Sequence, residues 1–479
     1  MNRDTGPGRA ARLPTGRAAE LWMLIFAAII VGSALVIVEL NQSRELTWDL
    51  GVYIGGYLLA LAIAHLLIRQ FAPYADPLLL PMAALLNGLG LVMIYRLDLA
   101  AATKAVAAGT AVPSPQASMQ LLWTGVALIC FLVVLVVIRD HTKLANYAYT
   151  VLLLGVIFLA IPAALPRRFS EVNGAKIWIK LPGLFSIQPG EFAKIALIVF
   201  MAAFLASKRE VLGSAGKRFL GMQLPRARDM GPLLVALVLC LGIFVVSKDL
   251  GQALLVMGVG MAMIYAATGR VSWLVIGFVG FSGGAVLAYK LFAHVRLRLD
   301  IWLHPFADPQ NTGYQLVQSL FGLGTGGIFG TGLGAGRPDI VPFASTDFIM
   351  AALGEELGLV GLAAILMCYL VLGSRGVRAG IAVRDPFGSL LATGLAFTLV
   401  FQMFIVVGGV TRLIPLTGVT TPFLSYGGSS LLANYVILAL LLRISDSSRR
   451  PEPVVIPRVA ESLNDARTEV VQLDKRRVR

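Results

Sequence analysis

The sequence predicts an all-α, polytopic integral membrane protein with about twelve transmembrane helices, on three observations. First, the 479 residues are 57% hydrophobic and only 14% charged, with a mean hydropathy of +0.80. Soluble domains carry about 25% charged residues, and a chain of this length would need far more polar surface to cover its cores. Second, apolar runs long enough to span about 30 Å of hydrocarbon at 1.5 Å per helical residue recur along the chain. Third, Lys and Arg alternate in density between successive connections, as membrane insertion requires.

In chain order the candidate spans are 21–40, 51–68, 76–94, 118–138, 147–163, 188–206, 232–247, 250–268, 272–291, 348–372, 387–409 and 428–444. Lipid offers no partner for an unpaired backbone group, so each is expected to be a helix. The gaps at 247–250 and 268–272 are short enough to make tight hairpins. The first stretch is too long for a signal-peptide core and should remain as an anchor. Residues 1–20 form a basic lead-in with Arg3, Arg9, Arg12 and Arg17, and residues 446–479 a polar, basic tail with Pro451, Pro453 and Pro457. If both termini and the even connections face the cytoplasm, 26 basic residues lie inside and 13 outside, with Lys194 at a membrane edge. The net charge of +14 is therefore explained by topology and not by nucleic-acid binding. Cys130, Cys240 and Cys368 all sit in apolar runs, where nothing points to a disulfide, a zinc site or a thiol nucleophile.

Two outer connections depart from this pattern. Residues 166–190 carry Arg167, Arg168, Lys176 and Lys180 against Glu171, a cationic cluster on the disfavoured side. An anionic headgroup or diphosphate would account for it. Residues 292–347 form a large extracytoplasmic loop that begins with Arg296, Arg298 and Asp300 and runs into FGLGTGGIFGTGLGAG at 321–336. Gly322, Gly324 and Gly327 match GxGxxG formally, but no βαβ unit surrounds them. Close packing of backbone against lipid or a neighbouring helix suits these glycines, as does plain loop flexibility.

Asp347 closes that loop in STDFIMAALGEELG, immediately before the tenth span. A carboxylate at the mouth of an outer cavity can act as a general base, whereas Ser345, Thr346 and Asp347 would also suit helix capping. Glu355 and Glu356 follow about 12 Å further along the helix, and a structural ion pair is expected for at least one of them. Glu191 and Lys194 in IQPGEFAK are three apart and can pair on one helix face; alternatively Lys194 neutralises a substrate phosphate. Asp249 in SKDLGQ is read as a helix cap. Residues 409–430, GVTRLIPLTGVTTPFLSYGGSS, interrupt two spans, and Thr421, Ser425 and Tyr426 are placed to hydrogen-bond a polar ligand.

Taken together, NGAKIWI (173–179), QPGEFAK (188–194), DLGQALL (249–255), GYQLVQSL (313–320), STDFIMAALGEELG (345–358) and PLTGVTTPFLSYGGSSL (415–431) resemble the SEDS family of shape, elongation, division and sporulation proteins. The resemblance runs from about Asp76 to Ser445. It implies a ten-helix glycosyltransferase core at 76–445, preceded by two additional helices within 21–75. The extension and the NGAK string make the chain more similar to an actinobacterial member of the rod-shape branch than to the division branch. There are departures: Ile177 precedes Trp178 where relatives carry arginine, Gly190 replaces a common serine, and Ser186 stands where arginine is frequent.

The resemblance implies polymerisation of lipid II into β-1,4-linked glycan outside the cytoplasmic membrane, with Asp347 essential. Lys194, Glu191, Lys176, Trp178, Gln315, Thr346, Ser425 and Tyr426 are the implied substrate-binding set, and Glu355, Glu356 and Asp249 shape the pocket. It also implies a class B penicillin-binding protein as transpeptidase partner. No nucleotide or redox cofactor is called for, and a divalent cation (Mg or Mn) is left open. A flippase for lipid-linked precursors and a non-catalytic scaffold of the synthesis complex remain alternatives.

Overall fold

The computed structural model describes residues 15–42, 45–172, 174–181, 185–214, 217–219, 222–224 and 227–451. Most of the expected N-terminal lead-in and of the basic tail lies outside the described residues. The chain forms α1 (Arg17–Gln42), α2 (Trp48–Phe71), α3 (Leu79–Ala107), α4 (Gln116–Val137) and α5 (Ala148–Ala164). A short α6 (Arg167–Ser170) and two antiparallel ribbons follow, β1 (Glu171–Val172) with β2 (Ala175–Lys176) and β3 (Ile179–Leu181) with β4 (Phe185–Ile187). Next come α7 (Pro189–Ser214), the ribbon of β5 (Lys217–Phe219) and β6 (Met222–Leu224), α8 (Ala227–Val246), α9 (Leu250–Thr268) and α10 (Val271–Leu291). The remainder is α11 (Ala293–Leu303), α12 (Tyr314–Gly326), α13 (Ile349–Ala382), α14 (Pro386–Val410) and α15 (Gly428–Arg449).

Eleven helices are long and apolar enough to cross a membrane, and α8 contributes a shorter apolar stretch, Met230–Val246. Each expected span thus has its helix. The structure extends several of them: α13 continues through Arg375 and Arg378 to Ala382, where hydropathy alone stopped at 372. Charged side chains can reach past the membrane edge while their stems stay apolar, so a helix outlasts its hydrophobic segment.

The core is built by α3, α7, α9, α14 and α15. Leu86, Met93, Ala202, Leu255, Leu395, Leu399, Leu438 and Leu442 are fully buried within it. In contrast, Trp22, Phe26 and Ile29 of α1 point outward, and α10 buries no residue. Apolar side chains on such faces are solvated by lipid tails.

The two ends of the bundle differ chemically. At one end Arg17 pairs with Glu20 and the Ala75 carbonyl, His65 Nδ1 lies 2.8 Å from Glu20, and Arg449 meets Asp76. Arg443 reaches the Phe71 carbonyl at 2.7 Å, and His141 Nε2 lies 2.7 Å from Asp385. These contacts tie together the start of α1 and the end of α15.

The other end carries the segments expected to hold the function. The connection between α5 and α7 is not a plain loop: its two ribbons pair Glu171 with Lys176 and Ile179 with Ile187. Residues 292–347 are likewise not one open loop, since α11, α12 and a 3-10 turn (Pro338–Ile340) occupy much of them. The glycine string then explains itself. Helix α13 breaks at Gly358 (φ 68°, ψ −171°), a conformation that glycine accommodates, and the break frees backbone groups of the helix. The string supplies their partners: Thr331 and Gly332 N–H donate to the Glu355 and Glu356 carbonyls at 3.0 Å each, while Leu359 and Val360 N–H donate to Gly327 and Ile328 at 3.0 and 3.1 Å. A Cβ on Gly330 would overlap the Glu356 carbonyl oxygen, so this approach excludes a side chain there.

Candidate active site

Asp347 sits on the last turn before α13, half-buried. The capping role considered for it does not hold, because α13 begins after Phe348 with no side-chain cap. Its neighbours are held elsewhere: the Ser345 carbonyl accepts the Tyr426 N–H at 2.8 Å, and the Thr346 carbonyl accepts the Ser425 hydroxyl at 2.6 Å. Ser425 Oγ also accepts the Thr421 N–H at 2.8 Å, so this hydroxyl is spent on joining the 415–428 segment to the start of α13.

Among the described residues no hydrogen-bond donor reaches the Asp347 carboxylate. Burial pushes its pKa up to about 6, and the positive charge of Arg298 opposes that rise. Arg298, on α11, donates from Nη1 to the Thr417 carbonyl at 3.1 Å and to Leu416 at 3.4 Å. The next residue, Gly418, has φ +72°, and a Cβ there would stand 3.6 Å from Asp347 Oδ2. A side chain at this position would be strained by the positive φ and would sit in van der Waals contact with the carboxylate. Carboxylate and guanidinium therefore flank the same turn of backbone.

Arg298 is also the charged residue in the wall of a cavity of about 570 Å³ between α8, α9, α10, α11 and residues 415–417. Leu254, Met257, Phe281 and Tyr289 make the rest of that wall largely apolar. The arrangement offers an apolar slot, a cation at its polar end and a carboxylate beyond it.

Asp249 caps α9 as expected, accepting the Gln252 N–H at 3.1 Å, and Gln188 Nε2 lies 3.3 Å from its other oxygen. Burial raises its pKa to about 6; the Gln252 bond lowers it, Glu191 raises it and Arg298 lowers it. Glu191 and Lys194 form the expected ion pair at 2.6 Å, both about 1% exposed. Gln252 Nε2 donates to Glu191 at 2.6 Å, Lys194 donates to Gln402 Oε1 at 2.8 Å, and Gln402 donates to the Thr420 carbonyl at 2.8 Å. Lys194 is thus engaged within the protein by Glu191 and Gln402, and Gln402 carries that network on to Thr420.

The rest of the expected set divides. Lys176 lines a small enclosed space with Gln188, Phe244 and Asp249. Trp178 is half-buried and its backbone N–H donates to the Ser170 carbonyl at 3.2 Å. Gln315 is half-buried on α12, and Tyr426 is half-buried. Glu356 is the ion-pair partner of buried Arg96 at 3.0 Å and accepts the Gly334 N–H at 2.9 Å, while Glu355 accepts the Arg337 N–H at 2.6 Å. Both glutamates thus hold the glycine string and the residue that follows it. Among the described residues no three His, Cys, Asp or Glu side chains converge on a point where a metal could sit. Sequence reasoning has Arg298 only as one of the outer arginines that, with Lys194 and Lys176, are candidates to hold a diphosphate; the structure sets it beside the 416–418 turn.

The model of the FTSW_RODA_SPOVE family, described as cell cycle protein, matches residues 77–450. Peptidoglycan glycosyltransferase RodA of Mycobacterium tuberculosis is 57% identical over 460 residues, covering 96% of this chain and 97% of the relative. The RodA of Mycobacterium leprae is 56% identical over 443 residues, 92% of each chain. A probable FtsW of Geobacter metallireducens is 36% identical over 375 residues, 77% of this chain and 94% of that one. Among solved structures, a chain from a peptidoglycan synthase complex that coordinates polymerization and crosslinking superposes with a TM-score of 0.60 at 25% identity, covering 79% of this chain and 99% of its own. Thermus thermophilus RodA shares the fold with a TM-score of 0.51 at 23% identity, over 79% of this chain and 98% of that one. The chain belongs to the FtsW, RodA and SpoVE family of membrane proteins.

Proposed function

We propose that this protein is a peptidoglycan glycosyltransferase that polymerises lipid II during cell elongation, and that Asp347 is its general base. The reaction joins the 4-hydroxyl of an acceptor GlcNAc to the anomeric carbon of a donor MurNAc. The O–H bond breaks as the new C–O bond forms, the bond to undecaprenyl diphosphate breaks, and inversion converts an α linkage to β-1,4. The departing proton goes to Asp347, and the charge gathering on the diphosphate needs a fixed cation.

The observation that carries this reading is the state of Asp347: half-buried, without a hydrogen-bond donor among the described residues, and within the field of Arg298. A base in that condition is ionised at neutral pH and keeps its lone pairs for substrate. Arg298 takes the role of leaving-group cation ahead of Lys194, because Lys194 is already occupied by Glu191 and Gln402. The apolar slot beneath Arg298 suits a polyprenyl chain. Orientation follows from basic residues: the end bearing Arg17, Arg375, Arg443 and Arg449 faces the cytoplasm, which puts both termini inside and Asp347 outside. A class B penicillin-binding protein is the proposed partner that crosslinks the emerging strand.

Purified full-length protein without a partner, supplied with lipid II in detergent or vesicles, should make glycan, and Asp347→Asn should abolish it while the variant stays folded. Polymer from the variant would remove Asp347 from the chemistry. Flipping of lipid II without polymer from the native chain would replace the enzyme with a transporter.

A further inference from the structure

Helices α1 and α2 lie ahead of the family-matched region, which starts at residue 77. The end of α1 nevertheless touches the glycine string that partners the α13 break. Asn41 Nδ2 donates to the Leu333 carbonyl at 2.6 Å, and Gln42 Nε2 donates to Gly334 at 2.5 Å. The approach is backbone-close: a Cβ on Gly334 (φ +78°) would stand 3.0 Å from Asn41 Cβ and 3.2 Å from Val38 Cα. From the opposite side, Glu356 accepts the Gly334 N–H, and Arg96 Nη2 donates to the Gly336 carbonyl at 2.8 Å. Residues 331–336 are therefore held between α1 and residues 355–356 of α13, just before its break at Gly358; the helical turns from Ile349 to Leu357 join that contact to the start of α13, which Asp347 precedes by two residues.

We infer that α1 is a positioning element for the glycosyltransferase site, with Asn41 and Gln42 holding the glycine segment against the α13 break so that Asp347 keeps its place. The inference rests on the general-base reading above. Two amide donors at the exposed end of α1 do not hold that helix in the bundle. Burial of Leu24, Val31, Leu35 and Val38, together with the Tyr95–Glu39 hydrogen bond, does so. Their loss loosens the segment, not the fold, and a base displaced by even about 1 Å loses much of its rate.

The test uses full-length protein in lipid nanodiscs, comparing Asn41→Ala/Gln42→Ala with native by amide hydrogen exchange and by steady-state polymerisation of lipid II. Amides of 331–336 are expected to exchange roughly tenfold faster, with α14 unchanged. kcat should fall several-fold at unaltered KM. Asn41→Gln, which keeps an amide donor, should retain native behaviour in both, and Phe26→Leu on the outward face of α1 should change neither. Unchanged exchange in 331–336 overturns the inference, as does faster exchange with native kcat, or a general rise that includes α14. Native protein that makes no glycan would sink the glycosyltransferase reading instead, while the exchange measurement still decides whether α1 holds the segment.

Discussion

Lowering the pH from 7 to 5 should cut kcat/KM for glycan formation about tenfold, with the midpoint of the fall near pH 6. The magnitude follows from Asp347. Burial raises its carboxyl to about 6, so about nine-tenths of it is ionised at pH 7 and about one-tenth at pH 5. An aspartate at its usual value of 3.8 would lose only a few per cent of its ionised form over that interval. Arg298 is the charge that holds the rise in check, so Arg298→Met should move the midpoint to higher pH besides slowing the reaction. The assay is initial polymerisation rate at subsaturating lipid II across pH 4.5 to 8, with folded fraction monitored at each point. Asp249 titrates in the same range and must be separated. Asp249→Asn keeps a capping side chain and should keep the acid limb. A flat profile, or a limb that disappears in Asp249→Asn, would refute the assignment of the base to Asp347.

Two further outcomes follow from the same geometry. Asp347→Asn should be more heat-stable than native at neutral pH: a raised folded-state pKa favours the protonated form, so native stability drops as pH climbs from about 4 to about 6. The gain should be complete above about pH 6 and absent below about pH 4 in thermal unfolding scans. Arg96→Leu, which strands buried Glu356, should cost about 3–5 kcal/mol in the same scans, and Arg96→Leu/Glu356→Leu should recover much of that loss.

How much was readable in advance depended on the range of the interaction. Spans were legible because apolar length is a local property, and so were the Glu191–Lys194 pair, set by i,i+3 spacing, and the Asp249 cap, set by its place before a helix. Capping at Asp347 was the local reading too, and it failed. Ser425, 79 positions away, takes the Thr346 carbonyl, and Tyr426 takes Ser345, which fixes that turn from outside. Glu356 was readable as half of an ion pair, but its partner Arg96 is 260 positions distant. The glycine string was legible as close packing; what it packs on, the break at Gly358, was not, since Gly358 reads as an ordinary helical glycine. Arg298 was visible only as one arginine in a cluster, because its value comes from Thr417 lying beside it.

The proposed role of Asp347 is also supported by a route that needs no family. Several buried or half-buried carboxylates lie at this end of the bundle among the described residues, and six of the others are committed. Glu191 serves Lys194 and Gln252, and Asp249 serves Gln252 and Gln188. Glu355 holds Arg337 N–H, Glu356 holds Arg96 and Gly334, Asp339 holds Lys104 and Arg337, and Asp98 accepts the Ala117 N–H at 2.7 Å. Taking a substrate proton at any of these would break a bond that keeps a helix end or a loop in place, and buried polar groups left unmatched cost about 1–3 kcal/mol each. Asp347 has no such bond to lose among the described residues. Leaving a half-buried carboxyl unmatched costs stability, and the fold carries that cost beside Gly418 and within the field of Arg298. A site that gives up stability for an available base has the thermodynamic character expected of chemistry, and not of scaffolding.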